Sequence, residues 1–454
     1  MSMFFSRDTR VLLKQGANVW EIPVLDGFSF SQATNSSEIT LNEAINATTG
    51  KSRRSRQMFN DSLAPAEWSF STYVRPVKGV PDTTKGWLID GANNDVHAVE
   101  EALWANFAAN NAWRASAVLT KTFASGGASG ATTVTLNNVS DLSVGDPVSG
   151  TGIAANTEIA NEGINTDTNT ITLTIATTGQ VSGSLAFISD GAWSGGLVNN
   201  TSNCTINWNA SEVAELGTFE LYFVMGKAGA EQVYKCDGAV VNEATVDFEV
   251  DGIATINWSG FASLISDQGT TVPTTTITEK IIDTDNFIRN RLTTLALTAN
   301  PYSHATFPGA NSNGVYNLTL TGGSLTFSNN ITFLTPDDLG KVNIPLGHIA
   351  GTRVIGGSIT CYLNDATGGS ADLFKALIES TSKTVNSFNM VFTIGGAAAG
   401  PRLVATMPRC HLEIPTHSID DAISVETTFH ALPLDIDPNT TTADYEAKLQ
   451  YNSV

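Results

Sequence analysis

The chain has 454 residues, enough for two or three domains and at least one sizeable core. Lys plus Arg number 24 against 44 Asp plus Glu, a net charge of -20, which excludes a protein that grips nucleic acid by neutralising phosphates, though not one that must keep DNA from sticking. Charged residues make up 15%, against about 25% in typical soluble domains, so other subunits are expected to cover much of the surface.

Short strand signals dominate the chain from its start. Val11-Leu12-Leu13 opens the first, and Gly27-Phe28-Ser29-Phe30-Ser31 alternates apolar with small polar residues, as a half-buried strand does. Glu67 to Val74 repeats that alternation over eight residues. Between these two lies a long polar stretch, Thr34 to Asp61, a length at which loops usually carry a function. Asp95 to Phe107 predicts a helix, with Val96, Val99, Leu103 and Phe107 on one stripe and Asp95 as N-cap. From Phe123 to Asp190 the composition changes to Gly, Thr and Asn with few aromatics, opened by the linker-like Ser125 to Gly130. That segment predicts a small β module inserted into a larger one. Strand signals return at Cys204–Trp208, Thr218–Gly226, Val233–Cys236, Ala244–Val250 and Ile253–Trp258. Gln268 to Thr278 predicts an extended linker. From Arg289 strand signals resume to about Leu434, and Tyr445 to Gln450 predicts a short helix in the tail.

The chain also resembles itself. Thr218 to Gly226 matches Ser387 to Gly395, with two Phe positions and the closing Gly in phase. Trp68 to Arg75 matches Gly357 to Asn364 in pattern, and Ser29-Phe30-Ser31 is placed against Thr326-Phe327-Ser328. A second helix is expected at Asp372 to Ile378, with Leu373, Leu377 and Ile378 facing in. Strand, strand, long loop, strand, helix and further strands thus occur twice, which points to duplication.

Motifs for chemistry are missing. There is no Gly-x-Ser-x-Gly elbow, no phosphate loop and no dinucleotide fingerprint. Asp283-Thr284-Asp285 lacks the Gly and distal Glu of a calcium loop. His411 and His417 flank Glu413, but Pro415 breaks the strand between them, so a metal site is not expected. Asp337-Asp338 and Asp420-Asp421 read as solvated turn residues. Cys204, Cys236, Cys361 and Cys410 form no Cys-x-x-Cys and read as reduced, buried, small apolar residues. Asn-x-Ser/Thr triplets such as Asn200-Thr201-Ser202 are attributed to composition. No apolar run fits a signal peptide at the N-terminus or reaches the roughly 18 residues that span a bilayer. No enzyme activity and no cofactor are expected. One basic cluster stands out in the long polar stretch: Lys51, Arg53, Arg54 and Arg56. Contact with an acidic neighbouring subunit is favoured there over DNA contact or a merely solvated loop.

The run Phe59 to Tyr73 resembles the major tail tube protein of long-tailed, non-contractile bacteriophages, the siphophages. Asp8-Thr9-Arg10, Asn35 to Ala44 and Asn329 to Pro336 fit the same kind. The match is to the subset with two fused tube modules per chain. That resemblance implies a mainly β fold: two tandem tail-tube-type β-sandwich modules, each flanked by one α-helix, plus the inserted β domain. It places the first module at 1–122 and 191–266, the insert at 123–190, a linker at 267–289, the second module at 290–434 and a tail at 435–454. It implies a structural virion protein of the phage tail, made in the bacterial cytoplasm. Three chains would form a pseudo-hexameric ring, and stacked rings a hollow tube that conducts viral DNA into the host. Partners would be further copies, a tape measure protein and tail tip or terminator proteins, with DNA passing unbound. The inner surface is expected to be negative, supplied by Asp and Glu at inward-facing strand positions. The basic cluster at Lys51 to Arg56 would contact the next ring. The known relative carries an immunoglobulin-like domain after its second module, near where this sequence stops, and the insert has no counterpart there. The alternative function is a phage decoration or host-surface binding module.

Overall fold

Trp68 and Phe70 alternate with Glu67, Ser69 and Ser71, and the chain folds there as the strand that alternation requires. Both aromatic rings are buried, and the polar residues lie on the opposite face. The computed structural model describes residues 4–25, 27–39, 48–50, 57–82, 87–90, 95–108, 113–114, 117–140, 142, 146–155, 157–189, 192–193, 197–200, 202–209, 216–227, 229–273, 286–299, 315–335, 343–379, 387–396, 400–419, 422–433 and 445–453. It is mainly β, with two α-helices among the described residues.

Eight strands form the sheet on which the rest is built. They are β1 (Ser29–Ser31), β2 (Ala66–Tyr73), β3 (Gln232–Glu249), β4 (Thr255–Ala262), β5 (Leu320–Ser328), β6 (Val354–Tyr362), β7 (Thr416–Ile419) and β8 (Ile423–Ala431). They lie side by side in the order β1-β2-β4-β3-β5-β6-β8-β7, each antiparallel to its neighbours. The middle seam joins the two halves of the chain, with Glu243–Glu249 of β3 paired to Ser328–Gly322 of β5. A second layer packs on one face. In the first half it holds Thr9–Gln15, Asn18–Ile22, Phe219–Met225, Leu264–Gly269 and the first part of β3. In the second half it holds Thr294–Ala299, Phe388–Ile394, Arg402–Leu412 and Tyr445–Asn452.

The halves repeat each other in detail. Phe219–Met225 slips register against β3 between Phe219 and Leu221, and Phe388–Ile394 slips between Phe388 and Met390 against Arg402–Leu412. Short 3-10 turns at Ser6–Asp8 and Asn290–Leu292 precede the first strand of each half. Gly226 and Gly395, at φ 99° and 105°, end the matching strands in a conformation that side chains resist. Ser29 faces Ser69, and Ser324 faces Ser358, so β1 corresponds to Ser324–Thr326. The sequence match had placed it two residues later, because an alternating strand looks alike at every second position.

The helix expected over Asp95–Phe107 is shorter. Val96–Ala98 is a strand paired to Pro76–Lys78, and α1 covers only Glu101–Ala108. Asp95 therefore precedes a strand and is not the N-cap of α1. The helix α2 covers Ser370–Glu379, with Leu373 and Leu377 buried as expected, but Ile378 is exposed. The tail helix is replaced by the strand Tyr445–Asn452, which pairs with both Cys204–Asn209 and Arg402–Leu412. Its two edge partners satisfy its backbone in a way an isolated helical turn could not. The long polar stretch is a ribbon at its base: Thr34–Glu38 pairs with Met58–Leu63. A second, shorter ribbon, Thr332–Leu334 with Gly347–Ile349, stands beside it. Asn343 joins the two through backbone bonds to Leu63 and Asp61.

The two halves share one core. The indole of Trp104 on α1 meets Trp258 at 4.6 Å, Trp208 at 5.5 Å and Phe327 at 5.6 Å, residues drawn from both halves. Strands between Ala117 and Ser189 instead close into a separate six-stranded barrel with its own core of Val134, Ile171, Leu185, Phe187 and others. The barrel is entered and left through the paired strands Trp113–Arg114 and Ala192–Trp193. All four cysteines are buried, and none is in a disulfide.

Candidate functional site

The eight-strand sheet has one face in the core and one face free. Period-2 alternation assigns the free face strand by strand. Tyr73, Thr255, Asp247, Ser324, Ser358 and Thr428 lie next to one another across six strands. Glu249, Gly322, Thr360, Glu426 and Thr416 form a second such row. Glu67 and Glu243 add two more carboxylates at positions of the same facing. No Lys or Arg occupies a free-face position of β1 to β8 among the described residues.

Short polar side chains bond along this face rather than reaching out from it. Ser71 Oγ donates to Asn257 Oδ1 at 2.6 Å, and Asn257 Nδ2 donates to Asp247 Oδ2 at 2.6 Å. Ser29 and Ser69 share a hydroxyl bond of 2.8 Å. Partial burial pushes the Asp247 carboxyl above its ordinary pKa, the Asn257 bond opposes this, and the Glu249 charge adds to it. Asp247, Glu249, Asp251, Ser324 and Thr360 line a shallow groove of about 790 Å³ across the middle seam. Lys14 bonds Glu220 at 2.7 Å and Lys235 bonds Asp237 at 2.6 Å, both in the second layer, while Arg291 reaches Asp251 at the rim of the groove, 3.7 Å away. Among the described residues the strands of the face thus carry carboxylates and hydroxyls but no Lys or Arg, a surface that repels polyanions.

The ends of the sheet are different in kind. At the ribbon end, Met58, Phe59 and Leu346 are 59%, 53% and 72% exposed. At the opposite end, Val250, Ile253, Leu292 and Ile423 are exposed. Apolar groups at both ends of one molecule suit contacts with another. Lys51, Arg53, Arg54 and Arg56 lie outside the described residues, as do Asp283 to Asp285, Asp337-Asp338 and Asp420-Asp421.

Buried polar groups cluster at the start of α1. Glu101 accepts from Asn199 Nδ2 at 2.9 Å and from Trp193 Nε1 at 3.3 Å, and it lies 3.0 Å from His97 Nδ1. Glu100 accepts from the Tyr451 hydroxyl, which in turn accepts from Trp104 Nε1 at 2.8 Å. Complete burial raises the Glu100 pKa to about 8, although Tyr451 and the Arg75 charge oppose the rise. These groups are sealed from solvent and tie α1 to the last strand. The folded chain keeps a proton on Glu100 that the unfolded chain releases above about 4.5. Stability from this site is therefore full below pH 4.5 and declines towards pH 8. Thermal melts of Glu100→Gln are expected to show a shallower fall between these pH values than wild type. Parallel curves would assign the wild-type slope to other groups.

Among the described residues, no group of His, Cys, Asp and Glu is arranged to hold a metal ion. His417 instead packs edge-on against Phe374 at 4.3 Å. No helix is long and apolar enough to cross a membrane among the described residues.

No protein-family model matches the chain. The chain is similar to the tail tube protein pb6 of Escherichia phage T5, with 28% identity over 96% of this chain and 74% of that protein. The resemblance drawn from Phe59 to Tyr73 thus extends over nearly the whole chain. It supports a structural protein of the phage tail, and not an enzyme.

Proposed function

We propose that three copies of this chain form a pseudo-hexameric ring, that rings stack into the hollow tail tube, and that the free sheet face lines the channel through which viral DNA passes. The observation that carries this is the face itself: rows of hydroxyls and carboxylates, without Lys or Arg, across strands of both halves. Three eight-strand sheets would give a barrel of about 24 strands, and barrels of roughly 16–18 already enclose an aqueous channel. An acidic wall keeps DNA from the counterion-releasing contacts that would slow it. Likeness to a phage tail tube protein supports the same reading. A tape measure protein and tail tip or terminator proteins would be the other partners. Electron microscopy of the purified protein tests this: tubes or rings are expected, and a uniform monomer would overturn it.

The ribbon carrying Lys51, Arg53, Arg54 and Arg56 would reach the next ring, where its exposed Met58 and Phe59 meet the apolar opposite end. Contacts of this head-to-tail kind do not close and so build filaments. Changing the four basic residues to Ser should shorten tubes while leaving rings intact. Each exposed pair contributes only about 0.2–1 kcal/mol, but the contact recurs at every copy. Salt should mimic the change by screening. Loss of rings with stacking preserved would assign the ribbon to the wrong interface.

The barrel between Ala117 and Ser189 would be a separate domain on the outside of the wall. Arg114 and Ala192 face each other as strand partners, so a two-residue turn can join them. A chain so shortened is expected to assemble tubes of normal length. A soluble, folded deletion protein that makes none would place the barrel within the wall.

A further inference from the structure

Among the described residues the sheet ends in two edges without a further strand, β1 on one side and β7 on the other, and the chain already contains a worked example of how such edges join. In the middle seam, β3 of the first half pairs with β5 of the second. The counterpart of β5 in the first half is β1, since Ser324 faces Ser358 as Ser29 faces Ser69. The counterpart of the later part of β3 is β7. Both run along the strand that closes their half, and both follow a one-residue slip, between Val241 and Glu243 in β3 and between Leu412 and Thr416 in the second half. Thr245 faces Asn257 in β4, as Thr416 faces Glu426 in β8.

We propose that β7 of one copy pairs antiparallel with β1 of the next in the register of the middle seam, with Thr416 opposite Ser31, His417 opposite Phe30, and Ser418 opposite Ser29. The proposal rests on the ring reading and gives it a specific joint. Thr245 and Thr326 bring their hydroxyls to 3.4 Å across the middle seam, and Thr416 and Ser31 would place hydroxyls at the same station. Val246 and Leu325 are buried at the middle seam. Their counterparts are His417, exposed apart from its edge-on contact with Phe374, and Phe30, half-buried, and the joint would cover both. Phe30 is already braced on Phe223 at 4.6 Å, so little side-chain freedom is lost on docking. Pro415 has no N–H to donate, so the joint begins at Thr416 and is shorter than the middle seam. A short edge with a proline also resists pairing with unrelated strands.

Double-cysteine variants of the full chain test the register, because the native cysteines are buried. Ser31→Cys with Thr416→Cys, and Ser29→Cys with Ser418→Cys, place thiols directly opposite, at Cα separations of about 4.5–5.5 Å that a disulfide spans. Ser29→Cys with Thr416→Cys is offset by two residues and serves as the control. Mild oxidation of assembled protein is expected to give covalent dimers and trimers for the first two pairs, and little for the control. Rings or tubes that form without these crosslinks, or that crosslink equally in the control, overturn the register while leaving the ring standing. A protein that forms no rings by electron microscopy overturns both.

Discussion

Tubes built from a Glu67→Lys, Glu249→Lys, Glu426→Lys variant will retain duplex DNA that wild-type tubes release. The three positions lie on the free sheet face, on β2, β3 and β6's neighbour β8, and none is buried in the core. In the proposed three-copy ring, ammonium groups would then form a circle where carboxylates stood. Affinity gained this way grows steeply with the number of phosphates contacted. Six to ten contacts correspond to about 10³–10⁵ in affinity between 50 and 200 mM salt. A short labelled duplex should co-sediment with variant tubes at low salt, resist nuclease while inside, and dissociate as salt rises. Duplex bound but fully open to nuclease would place these residues on the outer surface. Intact variant tubes that bind none would remove the free face from the channel altogether.

That face was legible only in part. Composition announces an acidic protein, and the alternation in Glu67 to Tyr73 announces a strand with a polar side. Which carboxylates share that side depends on pairing between distant strands. Asp247 stands beside Ser324 and Thr255 because β3 is held between β4 and β5. One residue of slip would send it into the core, and no local pattern fixes that slip. The duplication was legible where apolar residues are dense, as in Phe219–Met225 and Phe388–Ile394. It was misplaced by two residues at β1, where the repeating unit is only Ser and one large apolar residue.

The failures at the helix and the tail have one cause. Val96 to Phe107 carries a plausible helical stripe, yet Val96–Ala98 finds a partner in Pro76–Lys78 and becomes a strand. Tyr445–Asn452 contains Glu, Ala, Lys, Leu and Gln, all good helix formers. Its Ala447, Leu449 and Tyr451 nonetheless alternate into the core, because it lies between two strands, one from each half. Tertiary pairing outweighs propensities worth tenths of a kcal/mol per residue. The basic cluster was visible at once, but Lys51, Arg53, Arg54 and Arg56 lie outside the described residues.

Trp104→Ala should lower the stability of both halves together, by about 3–5 kcal/mol. Its indole is fully buried among Trp208, Trp258 and Phe327, and its Nε1 holds the Tyr451 hydroxyl from the last strand. Truncation therefore opens a cavity where α1, both halves and the last strand meet. It also strips a partner from a buried hydroxyl, which adds a desolvation cost. Phe187→Ala offers the contrast. Phe187 is as deeply buried, but in the separate core of the six-stranded barrel. Calorimetry of the two variants should move different transitions: Trp104→Ala the main one, as a single event for both halves, and Phe187→Ala only the one belonging to the barrel. Splitting of the main transition in Trp104→Ala would show that the halves fold independently and meet only weakly. A barrel transition that follows Trp104→Ala downward would show that the barrel draws its stability from the wall.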